Sequence, residues 1–185
     1  MQLTLESEKF LKIINFLGEQ SSYPNEISRK LGMSSSQAQK WLLWLFRKRM
    51  VIRKKGSLRR VFYSLNTKSQ LLKTYRRILF SEKLVSSKHW KRLCQLMPCG
   101  IYGSFSEGMW DERSDLDVWI YVTSPKHRIE ARKISNGLSE EFKKTVNLTF
   151  LDRSYLKNLK DKDPEFFYRL KLQSMTTFPE VFNVA

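Results

Sequence analysis

Residues 114–122 read Ser-Asp-Leu-Asp-Val-Trp-Ile-Tyr-Val, and their alternation restricts the fold more than any other stretch of the chain. Successive side chains of a β-strand point to opposite faces, so Leu116, Val118, Ile120 and Val122 share one face while Asp115, Asp117, Trp119 and Tyr121 share the other. The first face demands a packed core. The second carries two carboxylates side by side, which repel each other unless paired or bound to a cation. An all-oxygen pair of this kind suits Mg²⁺ or Mn²⁺.

Upstream, the short apolar strand Ile101-Tyr102 runs into Gly103-Ser104, followed by a segment of helical character. Glycine lets backbone N–H groups approach a phosphate closely, and the Ser104 hydroxyl can donate to a terminal phosphate oxygen. Ten residues separate Ser104 from Asp115. Gly-Ser, a ten-residue spacer and Asp-x-Asp resembles the signature of the nucleotidyltransferase superfamily, with Gly108 and Ser114 at positions usual in its small single-domain members. The resemblance runs from about Lys88 to the C-terminus. It implies that Gly103 and Ser104 hold the phosphates of a nucleoside triphosphate, that Asp115 and Asp117 are catalytic and hold the metals, and that Arg113 beside them contacts phosphate. The expected reaction moves an NMP from an NTP to an acceptor hydroxyl on nucleic acid or protein, since some relatives are antitoxins that add AMP to a partner toxin.

One position departs from that pattern. Enzymes of the superfamily place a third carboxylate on a neighbouring strand, and the matching strand here, residues 145–151, has Asn147 at that position. Asparagine supplies no charge. Asp152 falls on the opposite parity near the strand end, while Glu107 and Asp111 lie on the loop side as substitutes. Two-metal phosphoryl transfer needs both the attacking and the leaving oxygen neutralised, so the sequence supports nucleotide binding better than turnover. The alternative to an enzyme is a nucleotide-sensing transcriptional regulator with impaired catalysis; a third reading is a scaffold in which both parts support dimerisation.

Charge divides the chain differently. Its 34 Lys+Arg and 18 Asp+Glu give a net charge of +16; residues 1–90 hold nineteen basic and five acidic residues, residues 91–185 fifteen and thirteen. Such asymmetry predicts two modules with different partners, and the basic one calls for a polyanion. Helical spacing of Phe10, Leu11, Ile13, Ile14, Phe16 and Leu17 predicts a first helix over 8–17, ended by Gly18. Pro24 opens a second that Gly32 stops, and Ser34 caps a third over about 35–50. That third helix turns Ala38, Trp41, Leu42, Leu45 and Phe46 inward and presents Ser35, Ser36, Gln37, Gln39 and Lys40 at its N-terminal end, the build of a helix that reads the major groove. Val51–Lys55 and Arg59–Leu65 then alternate around Gly56-Ser57 as a hairpin.

From Arg47 to Arg60 there are eight basic residues and no acidic one. The order of helix, glycine turn, helix and basic hairpin over residues 25–65 resembles the winged helix-turn-helix of small prokaryotic transcription regulators. This implies double-stranded DNA as a partner, with Arg53, Lys54, Lys55, Arg59 and Arg60 on its backbone or minor groove, and a homodimer on paired half-sites. The expected organisation is therefore α+β: a winged helix-turn-helix over 1–67, a helical connector over 68–87 built from Lys68–Phe80 and the start of Lys83–Met97, and a nucleotidyltransferase-like mixed sheet flanked by helices over 88–185. Cys94 and Cys99 are the only cysteines, too few and wrongly spaced for a zinc ribbon or a CxxC motif, and read as buried reduced thiols. The longest apolar run, Trp41–Phe46, is far too short for a membrane span, and a cytoplasmic location is expected.

Overall fold

A computed structural model of the chain describes residues 5–56 and 60–183. The chain divides into two compact units, Met1–Thr74 and Tyr75–Ala185.

In the first unit, three helices, α1 (Leu5–Glu19), α2 (Pro24–Leu31) and α3 (Ser35–Arg47), precede the antiparallel hairpin β1 (Val51–Lys55) and β2 (Val61–Leu65). This is a winged helix-turn-helix. Pro24 occupies the first turn of α2, where its missing N–H costs nothing, and Gly32 ends the helix at φ 64°, its N–H reaching the Ser28 carbonyl. Ser34 caps α3 reciprocally: its hydroxyl accepts from the Gln37 N–H, and the Gln37 side chain accepts from the Ser34 N–H. Ile13, Ile14, Ile27, Ala38, Leu42 and Leu45 have no exposed surface and form the centre.

Two expectations for this unit change. The third helix stops at Arg47 rather than near Met50, because Arg49 takes a left-handed conformation (φ 57°) and the Met50 N–H turns back to the Leu45 carbonyl. Trp41 and Phe46 are only half-buried; Trp41 stands edge-on to Trp44, with ring centroids 5.7 Å apart. The hairpin gains a third segment where Ser22 and Tyr63 exchange both backbone hydrogen bonds, at 2.9 and 2.7 Å. The tip of the wing at residues 57–59, including Arg59, lies outside the described residues.

The division between units falls inside α4 (Gln70–Ser86), a single helix where the apolar spacing predicts a break near residue 81. Ser81 and Ser86 return their hydroxyls to carbonyls one turn back within α4. The break comes at Ser87, which is fully buried, caps α5 (Lys88–Leu96) by accepting from the Trp90 N–H, and donates to Glu141 Oε2 at 2.6 Å.

The second unit continues with β3 (Cys99–Tyr102), α6 (Gly103–Glu107), β4 (Leu116–Tyr121), α7 (Pro125–Phe142), β5 (Val146–Leu151), α8 (Arg153–Lys162), α9 (Pro164–Gln173) and β6 (Met175–Thr176). The sheet order is β5-β4-β3-β6; β3 is antiparallel to β4 and β6, and β4 is parallel to β5. It is a mixed sheet flanked by helices, and the fold as a whole is α+β. Both faces are covered for most of their length. Leu116, Val118, Ile120 and Val122 pack with residues of α4, α5 and α7 in one core, whereas Trp119 packs with Leu156, Phe167, Leu170 and Phe182 in another. The face that carries the acids is therefore buried from Trp119 onward and open at the Asp115 end.

Candidate functional site

Asp115 is exposed just before β4, and Asp117 is half-buried within it. The sheet register sets Asn147 of β5 and Tyr102 of β3 on either side of Asp117. The amide nitrogen of Asn147 donates to Asp115 Oδ2 and to Asp117 Oδ1, both at 3.2 Å. One neutral side chain thus spans both carboxylates, which places them on the same side of the strand.

Gly103 adjoins the same corner. Its φ of 69° is left-handed, and a β-carbon there would sit 2.6 Å from Asp117 Oδ2. Only glycine fits, for reasons of both conformation and space. Gly103 opens α6, a helix of a single turn that Gly108 closes in left-handed conformation, and the Ser106 hydroxyl donates back to the Gly103 carbonyl at 2.9 Å. Ser104 is half-buried beside it. Two carboxylates and a backbone with no side chain in the way fit one divalent cation. Rotation of the Asn147 side chain would exchange its amide nitrogen for its oxygen and offer a neutral ligand, but no third charge. Among the described residues, no group of three or more His, Cys, Asp or Glu comes together.

The other acids near this stretch are engaged elsewhere. Asp111 accepts from the Arg113 N–H and the Ser114 hydroxyl, both at 2.9 Å, and these bonds, the Ser114 hydroxyl first, hold its carboxyl below the usual range. Asp152 caps α8, accepting from the Tyr155 N–H at 2.8 Å and the Ser154 hydroxyl at 2.6 Å, with Arg128 at 3.8 Å; the Ser154 bond leads in lowering its carboxyl. Neither reaches the site as a substitute for the missing acid. Glu107 is exposed at the end of α6, and the Arg113 side chain is exposed in the loop.

That loop is held by cations from both sides. Arg76, almost wholly buried in α4, donates to the Trp110 carbonyl and stacks 4.1 Å from its ring centroid. Burial pulls its guanidinium down to about 10, still protonated at neutral pH. Lys144 donates to the carbonyls of Asp111 and Glu112. Trp110 in turn lies flat on Phe105, centroids 5.0 Å apart. Sequence spacing did not single out Arg76 or Lys144; a lone basic residue in a basic chain carries no signal. Tyr102 was also missed. Its hydroxyl bonds with Thr149 at 2.8 Å, and burial pushes its phenol up. The parity that puts Thr149 on the face of Asn147 is the trace that could have found this pair.

In the first unit the groove-reading residues divide in two. Gln37 is taken up by the helix cap, Ser36 Oγ lies 3.1 Å from Ser34 Oγ, and Ser35 Oγ lies 3.5 Å from Ser28 Oγ. Gln39 and Lys40 are exposed on the next turn. On the hairpin, Arg53 lies 4.5 Å over the Phe46 ring and Arg60 5.1 Å over Tyr23, which orders their guanidinium groups. Lys54 and Lys55 extend into solvent. No helix among the described residues is long and apolar enough to cross a membrane.

No protein-family model and no curated protein matches the chain. Two solved structures of a doubly substituted Lactococcus lactis ZitR resemble it at 17% identity. One, in apo form, has a TM-score of 0.37 and covers 74% of this chain and 83% of that one. The other has a TM-score of 0.39 and covers 77% of each chain. Likeness at this level carries no functional argument.

Proposed function

We propose that the chain is a DNA-binding transcriptional regulator whose second unit binds a magnesium-bound nucleoside triphosphate and transfers its nucleotide poorly or not at all. The single observation behind this reading is the Asn147 amide lying across Asp115 and Asp117, where a nucleotidyltransferase of the kind the sequence resembles needs a third carboxylate. Asp115 and Asp117 would hold a divalent cation, Mg²⁺ or Mn²⁺, which neutralises phosphate charge when bound. Gly103 brings backbone close to the carboxylates, and Ser104 offers a hydroxyl to a phosphate oxygen. With Asn147 in place, the second cation and the activation of an acceptor hydroxyl lack their charge. The Arg113 side chain stands free to add a phosphate contact.

The first unit supplies the DNA contact, as one subunit of a homodimer on paired half-sites. Gln39 and Lys40 read from α3, and Lys54, Lys55 and Arg60 meet phosphate. Six such contacts would lower affinity about a thousandfold between 50 and 200 mM salt. Alanine at both Lys54 and Lys55 removes four of the six contacts in the dimer and should flatten the slope of log affinity against log salt by about 3.6, because each neutralised phosphate contributes roughly 0.9. A salt-independent titration would remove DNA from the reading.

For the nucleotide, ATP with Mg²⁺ should raise the melting temperature of the unaltered chain, because a ligand that binds only the folded state stabilises it. Asp115→Asn together with Asp117→Asn should abolish the rise. Labelled ATP should leave no label on DNA or protein beyond that seen with the double variant. Transfer lost in the double variant would instead establish the enzyme, and no shift with any nucleoside triphosphate would leave a DNA-binding scaffold.

A further inference from the structure

Cys94 and Cys99 take no part in the nucleotide or DNA readings. Cys94 lies in the last turns of α5 and Cys99 opens β3, with Met97 and Pro98 reversing the chain between them. The reversal brings the two sulfurs to 3.1 Å. Cys99 is fully buried, whereas Cys94 is partly exposed. The expectation of two buried thiols therefore fails for Cys94, which is only partly buried, with the fully buried Cys99 sulfur beside it.

We propose that Cys94 and Cys99 form a redox-active dithiol that a peroxide converts to an intramolecular disulfide, with Cys94 the attacking thiol and Cys99 the resolving one. The environments of the two sulfurs agree with these roles. The contact with Cys99 pulls the Cys94 thiol down, while that same contact and burial push the Cys99 thiol up. Reactive cysteines combine thiolate character, access and an adjacent resolving thiol.

The reaction balances in two steps. The Cys94 thiolate attacks one peroxide oxygen, the O–O bond breaks, and hydroxide leaves to be protonated to water; Cys94 becomes a sulfenic acid. The Cys99 sulfur, giving up its proton, then attacks the Cys94 sulfur and expels a second water. Two thiols and one hydrogen peroxide thus yield one disulfide and two waters. A disulfide needs its sulfurs at about 2.05 Å, so closure requires roughly an ångström of approach between two neighbouring chain segments. The bond would tie α5 to the strand that ends at Tyr102, next to Gly103. Thiol–disulfide exchange at the Cys94 sulfur should open the bond in dithiothreitol, as a reversible device requires.

The test treats the full chain with a small excess of hydrogen peroxide, then denatures it and counts thiols with a maleimide beside an intact mass. Both thiols should be lost together, the mass should fall by two hydrogens, the chain should stay monomeric on a non-reducing gel, and dithiothreitol should return both thiols. Cys94→Ser should leave the buried Cys99 thiol unoxidised at the same dose; the substitution is at the partly exposed position and nearly conserves volume. Cys99→Ser should leave a Cys94 sulfenic acid that dimedone traps. Two intact thiols in the unaltered chain, a disulfide between two chains, or Cys94 carried on to the sulfinic acid without a disulfide would each overturn the proposal.

Discussion

Asn147→Asp is expected to strengthen the response of the protein to divalent metal and to invert the stability order of the two forms. Without metal, the substitution removes the amide that donates to both Asp115 and Asp117 at 3.2 Å and puts a third negative charge among them. Hydrogen bonds to charged groups contribute about 1.5–3 kcal/mol when buried. Asp115 is exposed and Asp117 half-buried, and solvent reduces that figure, so a loss of about 1–2 kcal/mol follows. For a unit of this size that corresponds to roughly 5–10 °C in melting temperature. With millimolar Mn²⁺ the order should invert, because three carboxylates bind a hard cation more tightly than two and binding to the folded state adds stability. Melting curves of both forms, with and without Mn²⁺, measure this directly. A variant as stable as the original in chelator and unmoved by Mn²⁺ would show that the corner is not a cation site.

Gly100→Ala is expected to damage the second unit more than any surface change. Gly100 faces Trp119 across the β3–β4 register, and a β-carbon there would lie 2.6–2.7 Å from three atoms of the indole. Trp119 cannot yield easily. It has no exposed surface, its Nε1 donates to the Ser174 hydroxyl at 3.0 Å, and it packs edge-on against Phe182 with centroids 5.2 Å apart. Overpacking in such a core costs about 1–3 kcal/mol, and the upper end applies when the obstructing group is a hydrogen-bonded indole. The expected result is a large fall in the denaturant midpoint, with loss of any nucleotide-induced stabilisation, because Gly103 follows directly on the end of that strand. The first unit should keep its DNA affinity. An unchanged midpoint would mean that the indole has room to move and that the second core is looser than its packing implies.

These two substitutions divide what sequence can and cannot reveal. Asn147 was legible because the property at stake is local: the two-residue period of a strand puts Asp115 and Asp117 on one face, and a matching strand then asks what stands beside them. Both ends of α2 and the start of α3 were legible for the same reason. Ser34 with Gln37, Pro24 and Gly32 act through hydrogen bonds and dihedral angles set within a few residues.

Nothing in the sequence marked Gly100. Its constraint is an indole nineteen residues away in the chain, brought over it only by the register of two strands. The unbroken helix α4 was hidden similarly, since its end at Ser87 depends on Glu141 as well as on the Trp90 N–H. Asp111, a loop-side replacement for the missing acid when only spacing is known, is bound into its own turn, as is Asp152, whose strand parity already turns it away. The cysteine pair was masked by a separation that fits no linear motif until Pro98 folds it back.

Sequence alone therefore determined the element types, the face on which the acids stand and the absence of charge at Asn147, because backbone period, capping and side-chain chemistry act over one turn or one strand. Tertiary structure alone decided that Asn147 touches both acids, that Trp119 closes the rest of their face, that Arg76 and Lys144 grip the adjoining loop, and that two distant-looking thiols meet. Each of these depends on which segments pack together, and packing is fixed by the burial and fit of the whole unit rather than by any stretch of it.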